Sequence, residues 1–173
     1  MSTALPADSP QQAAIDWVHT VAAGDFNAVW HGMETDNRLC LTQQWVWGNR
    51  SHPAIESWDR DQLACVLTAG DTTCPLWPAF AEAMADYIAS GMAALAAAPL
   101  YALGDPRPLD LDTELVLLTH EHWDGSRKWD QIAGRAFLME LVAGRWLVAG
   151  FWTSRATPGW PPVYPDMTGP LNI

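Results

Sequence analysis

Basic charge is what this sequence has least of. One lysine, Lys128, and eight arginines stand against 20 Asp and Glu, a formal net charge of −11 over 173 residues. A surface that acidic repels phosphate backbones and anionic lipid, so neither nucleic acid nor a membrane surface is an expected partner. Cysteine is also scarce: Cys40, Cys65 and Cys74 are odd in number and lack metal-ligand spacing. They read as buried reduced thiols of a cytoplasmic protein. The opening MSTALPADSPQQ has no basic region followed by an apolar one, so no secretory signal is expected. The longest uncharged stretch, Tyr87 to Gly104, is alanine-rich and broken by Ser90, Gly91 and Pro99. It falls short of the roughly 20 strongly apolar residues of a bilayer span and predicts a buried helix. There is no internal repeat, no Gly-rich phosphate loop and no nucleophile elbow.

Tryptophan is what the chain has in excess: eleven, against four Phe and three Tyr. Scarce lysine with abundant alanine suggests a GC-rich bacterial coding sequence. The length suits a single domain over residues 1–173.

Helical signals fill the first hundred residues. Ser9-Pro10 predicts a cap and first turn, with Ala14, Trp17, Val18 and Val21 on one face and Gly24 as the stop. Asp25 predicts the cap of a short helix through Phe26, Val29, Trp30 and Met33. Residues 36–49 fit either period: Leu39, Leu41, Trp45 and Trp47 alternate as in a strand, while Leu41 with Trp45 fits a helix. Helix is preferred, because Thr35-Asp36-Asn37 looks like a start and Gly48-Asn49 like a stop. Ser57, followed by an acidic turn, opens another helix through Leu63, Val66 and Leu67 to Gly70. From Leu76 to Ala97, Trp77, Phe80, Met84, Tyr87, Ile88, Gly91, Met92 and Leu95 recur at three- and four-residue steps, opposite Glu82, Asp86 and Ser90.

After Pro99 the pattern changes. Gly104 to Pro108 reads as a loop. Leu115 to Trp123, Ile132 to Val142 and Trp146 to Thr153 read as strands, with turns at Asp124-Gly125 and Ala143-Gly144-Arg145. Residues 157–173 carry five prolines and predict an irregular tail that Trp160, Val163 and Tyr164 pin onto the body. Helices first and an antiparallel meander after them make an α+β domain with a helix-rich middle.

Two stretches carry a family resemblance. One is the opening helix with Trp17, followed by Ala23-Gly24-Asp25-Phe26-Asn27-Ala28-Val29-Trp30. The other is the closing hairpin, Arg135-Ala136-Phe137-Leu138-Met139-Glu140-Leu141-Val142-Ala143-Gly144-Arg145-Trp146-Leu147-Val148-Ala149-Gly150-Phe151. Together they resemble the nuclear transport factor 2-like superfamily, with its SnoaL-like cyclases, ketosteroid isomerase, scytalone dehydratase and limonene epoxide hydrolase. The resemblance covers roughly the first 30 residues and the region after Leu115. It implies N-terminal helices on a curved antiparallel sheet, a cystatin-like cone whose open end takes a small apolar molecule without a cofactor. It also implies a homodimer through the outer face of the sheet.

The candidate chemistry is thin. His120-Glu121-His122 puts two imidazoles on one face of a strand, but no third ligand follows, so solvated histidines are preferred and no metal is expected. Alternation places Val116, Leu118, His120 and His122 on one face of the first strand. In the second, Arg135, Phe137, Met139 and Leu141 oppose Ala136, Leu138, Glu140 and Val142. His120, Arg135 and Glu140 are thus the polar groups expected in covered surroundings and the candidates for acid–base work. For Arg135 and Glu140 the plainer reading is structural ion pairing. Trp17, Trp77 and Trp146 fit the core. Trp45, Trp47 and Trp58 lie among polar residues and, with Phe137 and Met139, are the candidates to line a ligand pocket.

Three functions follow from this reading. The leading one is a small-molecule-binding protein with an apolar or aromatic pocket. The alternatives are a cofactor-free isomerase, dehydratase or epoxide hydrolase, and an interaction module whose cavity its own tryptophans fill.

Overall fold

The computed structural model describes residues 5–121, 134–151 and 154–164. Six helices precede the sheet: α1 (Pro10–Ala23), α2 (Phe26–His31), α3 (Thr35–Gly48), α4 (Pro53–Glu56), α5 (Arg60–Ala69) and α6 (Trp77–Ala96). Side-chain caps fix the start of most of them. Ser9 Oγ accepts from Gln12 N at 3.2 Å, Asp25 from Ala28 N at 3.0 Å, and Asp59 from Gln62 N at 2.8 Å. Gly24 and Gly70 end α1 and α5 with φ of +75° and +76°, the left-handed conformation that glycine adopts without strain.

The 36–49 segment is indeed helical as far as Gly48, with Asn49 as its C-cap, and the Glu34 carboxylate caps α3 through Asp36 N and Asn37 N. Several boundaries differ from expectation, and α2 ends at His31 rather than at Met33. Asp59 rather than Ser57 caps α5, because Ser57 closes the separate one-turn α4. The first predicted strand ends at Thr119, and His120-Glu121 lie in a bend beyond it. Its expected continuation through His122 and Trp123, and the Asp124-Gly125 turn, lie outside the described residues.

Among the described residues five strands follow: β1 (Tyr101–Ala102), β2 (Arg107–Pro108), β3 (Thr113–Thr119), β4 (Gly134–Val142) and β5 (Arg145–Phe151). The expected 104–108 loop thus contains β2. The sheet is antiparallel and open, in the order β1-β3-β4-β5, and β2 pairs with the other end of β3. Ala143 and Gly144 join β4 to β5 with φ of +50° and +79°, the primed two-residue turn that matches strand twist. The chain is therefore α+β, helices first and meander second.

One face of the sheet packs on helices. Val116, Leu118, Phe137, Met139 and Val148 join α1, α3 and α6 in the main core. Its helical side is aromatic. The Trp17 indole N–H donates to Val29 O at 3.0 Å, and the ring meets Phe137 edge-on at 6.2 Å. Trp30, fully buried, lies between Phe26 and Phe80. The other face buries Leu115, Ala136, Leu138 and Ala149 under Leu109 from the preceding loop. Leu117, Leu141 and Val142 stay exposed.

The two halves of the chain are also joined by hydrogen bonds at β5. Met33 forms a parallel bridge with Val148. Val148 O accepts from Glu34 N at 2.9 Å and from Asn37 Nδ2 at 3.1 Å. No helix among the described residues is long and apolar enough to cross a membrane.

Candidate functional site

A cleft of about 610 Å³ opens where α3, α6 and the ends of β4 and β5 converge. Helical spacing builds two of its walls. Asn37, Leu41 and Gln44 fall at i, i+4 and i+7 on α3; Tyr87 with Gly91, and Ile88 with Met92, are i, i+4 pairs on α6. Arg135 of β4 and Gly150 and Phe151 of β5 form the sheet side. The fourth side is the segment 154–164, through Ser154, Ala156 and Tyr164.

That segment is held in place as a strap. Thr157 and Val163 exchange backbone hydrogen bonds at 2.8 and 3.1 Å. Gly159 N donates to Gln43 Oε1 at 2.8 Å, and the Trp160 indole donates to Asp61 Oδ1 at 2.7 Å with the Arg60 guanidinium over its ring. The Tyr164 hydroxyl donates to Gln44 Oε1 at 3.1 Å. The strap approaches β5 so closely that a Cβ on Gly150 would sit 2.4 Å from Ser154 O. The expectation that Trp160 and Tyr164 pin the tail agrees with these contacts; Val163 side-chain packing adds little, since that residue is 57% exposed.

Electrostatically the cleft is unlike the rest of the chain. Arg135 is the one charged residue among its described lining residues. Burial lowers the guanidinium pKa and the neighbouring Tyr87 raises it. Burial holds the Tyr164 phenol well above its ordinary range, so it remains a neutral hydroxyl at physiological pH. The floor is apolar: Ile88 and Met92 are buried, and Leu41 is 4% exposed.

Of the sequence candidates, Arg135 alone lines this cleft. Phe137 and Met139 share its face of β4 but are fully enclosed in the core. Trp45 packs edge-on against Phe80 at 5.4 Å, and Trp58 packs on the core margin. Trp47 is exposed, with the Arg50 guanidinium 4.7 Å over its ring. Glu140 lies on the other face of the sheet and pairs with Arg155, which also reaches Asp110 at 3.7 Å. Burial raises the Glu140 pKa, the Arg155 charge lowers it, and Glu34, Asp110 and Asp36 raise it further. The ion-pair reading of Glu140 is thus the one its contacts support. His120 is half-buried past the end of β3. No cluster of three or more metal-ligating side chains occurs among the described residues.

Cys40 and Cys74 are buried free thiols, whereas Cys65 is exposed, contrary to expectation, because it lies on the solvent side of α5 opposite Leu63 and Leu67. Burial, then Asp36 and Glu34, push the Cys40 thiol up to about 12. The sequence reading did not single out Asn37 or Gln44, used Tyr164 only to pin the tail, and placed Tyr87 and Gly91 on the apolar stripe of α6, whereas both line the cleft and Tyr87 is 55% exposed. The available signal was Gly91, which interrupts the apolar stripe of α6 at the point where the cleft opens. No family model, curated protein or solved structure matches the chain.

Proposed function

We propose that this chain is a small-molecule-binding protein of the nuclear transport factor 2-like type, with its ligand seated between α3, α6 and the β4–β5 end of the sheet. The cleft itself carries the proposal: at about 610 Å³ it falls within the roughly 300–1,000 Å³ typical of small-molecule sites. It also has their composition, an apolar floor with a few polar groups around it. The order of helices and antiparallel strands, and the hairpin at Ala143-Gly144, support the family assignment.

Simple binding is preferred to acid–base catalysis because no histidine or carboxylate is among the described lining residues. It is preferred to a filled interior because the aromatic core of Trp17, Trp30, Trp77 and Phe80 lies beside the cleft and leaves it open.

Native mass spectrometry of freshly purified protein, followed by a thermal-shift screen of apolar and aromatic small molecules, tests the reading. Binding to the parent that is lost in Gly91→Phe, which fills the cleft from α6, supports it. Ligands that bind the parent and Gly91→Phe equally place the site elsewhere, and no retained or screened ligand at all refutes the reading.

A further inference from the structure

We infer that the strap is a movable wall of the cleft: residues 157–164 lift off α3 and α5 as one piece, while the root, Ser154–Ala156, stays fixed on the sheet. Its purpose, ligand entry and release, rests on the binding reading above.

Root and tip are held by different kinds of contact. At the root, Ser154 O lies so close to β5 that a Cβ on Gly150 would come within 2.4 Å of it. Arg155 pairs with Glu140 of β4, and its other amino group reaches Asp110 at 3.7 Å and Thr113 Oγ1 at 3.4 Å. Ala156 is buried, at 5% exposure. From Thr157 onward the hold is lighter. Pro162 is the one buried residue of 157–164. Among the described residues, this stretch is hydrogen-bonded to the helices through Gly159 N to Gln43, the Trp160 indole to Asp61 and the Tyr164 hydroxyl to Gln44. The last two bonds are open to solvent. Trp160 adds packing at the core margin, under the Arg60 guanidinium. Exposed hydrogen bonds over little buried apolar surface mark segments that open locally, at a far lower cost than the whole domain.

The tip is also braced within itself. Thr157 and Val163 exchange backbone hydrogen bonds at 2.8 and 3.1 Å. Between them Pro158, Pro161 and Pro162 have their φ fixed by the ring. A loop so stiffened gives up its contacts together rather than one at a time. Tyr164 follows the brace directly. Tyr164 and Gln44 both line the cleft, so their hydrogen bond joins the strap wall to the α3 wall. Lifting the tip parts those two walls and leaves the sheet side, Gly150 and Phe151, in place.

Hydrogen exchange of the isotopically labelled full chain, followed by NMR at several urea concentrations below the unfolding transition, tests this. The reporters are the Gly159 amide and the Trp160 indole N–H, which are bonded to different helices. Val148 N, bonded to Gly32 O, is the reference for global unfolding. Both reporters are expected to exchange through one opening constant, equal within about threefold, at least about 100-fold larger than that of Val148 and insensitive to urea. The amides of Thr157 and Val163, bonded within the tip, should exchange no faster. Gln44→Ala and Tyr164→Phe each remove the hydrogen bond at the cleft and touch neither reporter. Each should raise both opening constants by about two- to tenfold, the value of one ordinary hydrogen bond. Unrelated constants for Gly159 and Trp160 would show that the tip does not move as one piece. Reporters that follow Val148 with its urea slope would show that it opens only on global unfolding. Constants unchanged in both variants would separate Tyr164, and hence the cleft, from the motion. Any of these three results overturns the inference, and if one variant does not fold the other decides. No ligand enters the experiment, so its failure removes the movable wall and leaves the binding reading to the ligand screen.

Discussion

Replacing Trp30 by Phe separates a core tryptophan from a surface one in energetic terms. Trp30 is fully buried, meets Phe80 edge-on at 5.3 Å, stacks on Phe26 at 5.7 Å, and donates its indole N–H to Thr68 O at 3.2 Å. The substitution removes that hydrogen bond and one fused ring. Thr68 O keeps a second donor, Arg38 Nη1 at 3.1 Å, so the acceptor is not orphaned and the loss is the ordinary net value of about 1 kcal/mol. Full truncation of a buried Trp costs about 3–5 kcal/mol, so the partial cavity adds about 1–2. The total is about 2–3 kcal/mol. For a domain of this size that corresponds to a fall in Tm of about 4–12 °C. Trp47→Phe is the control: its ring is exposed under Arg50, and the change should stay within about 0.5 kcal/mol. Urea unfolding followed by far-UV circular dichroism measures both without using tryptophan emission. Coincident midpoints for the two variants, with unchanged m values, would refute the assignment of Trp30 to the core and the packing argument with it.

Further outcomes follow from the same geometry. In a native thiol titration at pH 8, Cys65 should react quickly, while Cys40, pushed up to about 12, and buried Cys74 react only on unfolding; three fast thiols would contradict their burial. Gly150→Ala drives a Cβ into Ser154 O and should cost about 1–3 kcal/mol or more in urea unfolding. A neutral result would mean the strap does not hold that position. Glu140 binds its proton more tightly folded than unfolded, so its contribution is fully present below its ordinary pKa of 4.5 and is lost as pH rises through its raised folded value. Glu140→Gln should therefore gain on the parent between pH 4.5 and neutrality, whatever constant offset the lost Arg155 pair adds. Midpoints at several pH values give the slope, and a slope of opposite sign overturns the assignment of burial as the dominant cause.

How legible these features are in the sequence depends on the length over which each is written. The six-turn stripe of α6 and the caps of α1 and α2 are local patterns repeated several times, and they read directly. Helix α3 is ambiguous because it is covered on several sides, by α5, β5 and the strap, so its apolar residues do not gather on one stripe. Strands of two residues, such as Tyr101–Ala102 and Arg107–Pro108, carry no period at all. The cleft is the extreme case. Asn37, Tyr87, Arg135 and Tyr164 come from four separate segments, and only Arg135 is marked locally, as a charge on an apolar strand face. Trp45 and Trp58 misdirect the eye because their sequence neighbours are polar, while their packing partners, such as Phe80, are distant in the chain.

The bridge at Val148 bears on the order in which the molecule is made. A chain synthesised from its N-terminus can bring α1 onto α2 and α6, and the body of α3 onto α5, while its last third is still unmade. The first turn of α3 differs, because Asn37 is anchored 111 residues downstream. Closing so long a loop is entropically late and is offset only when β5 has paired with β4. Since Arg135 of β4 and Gly150 and Phe151 of β5 form the sheet side of the cleft, the cleft is complete only once that hairpin has formed. A chain stopped short of the final hairpin would be largely helical and would lack the sheet side of the cleft.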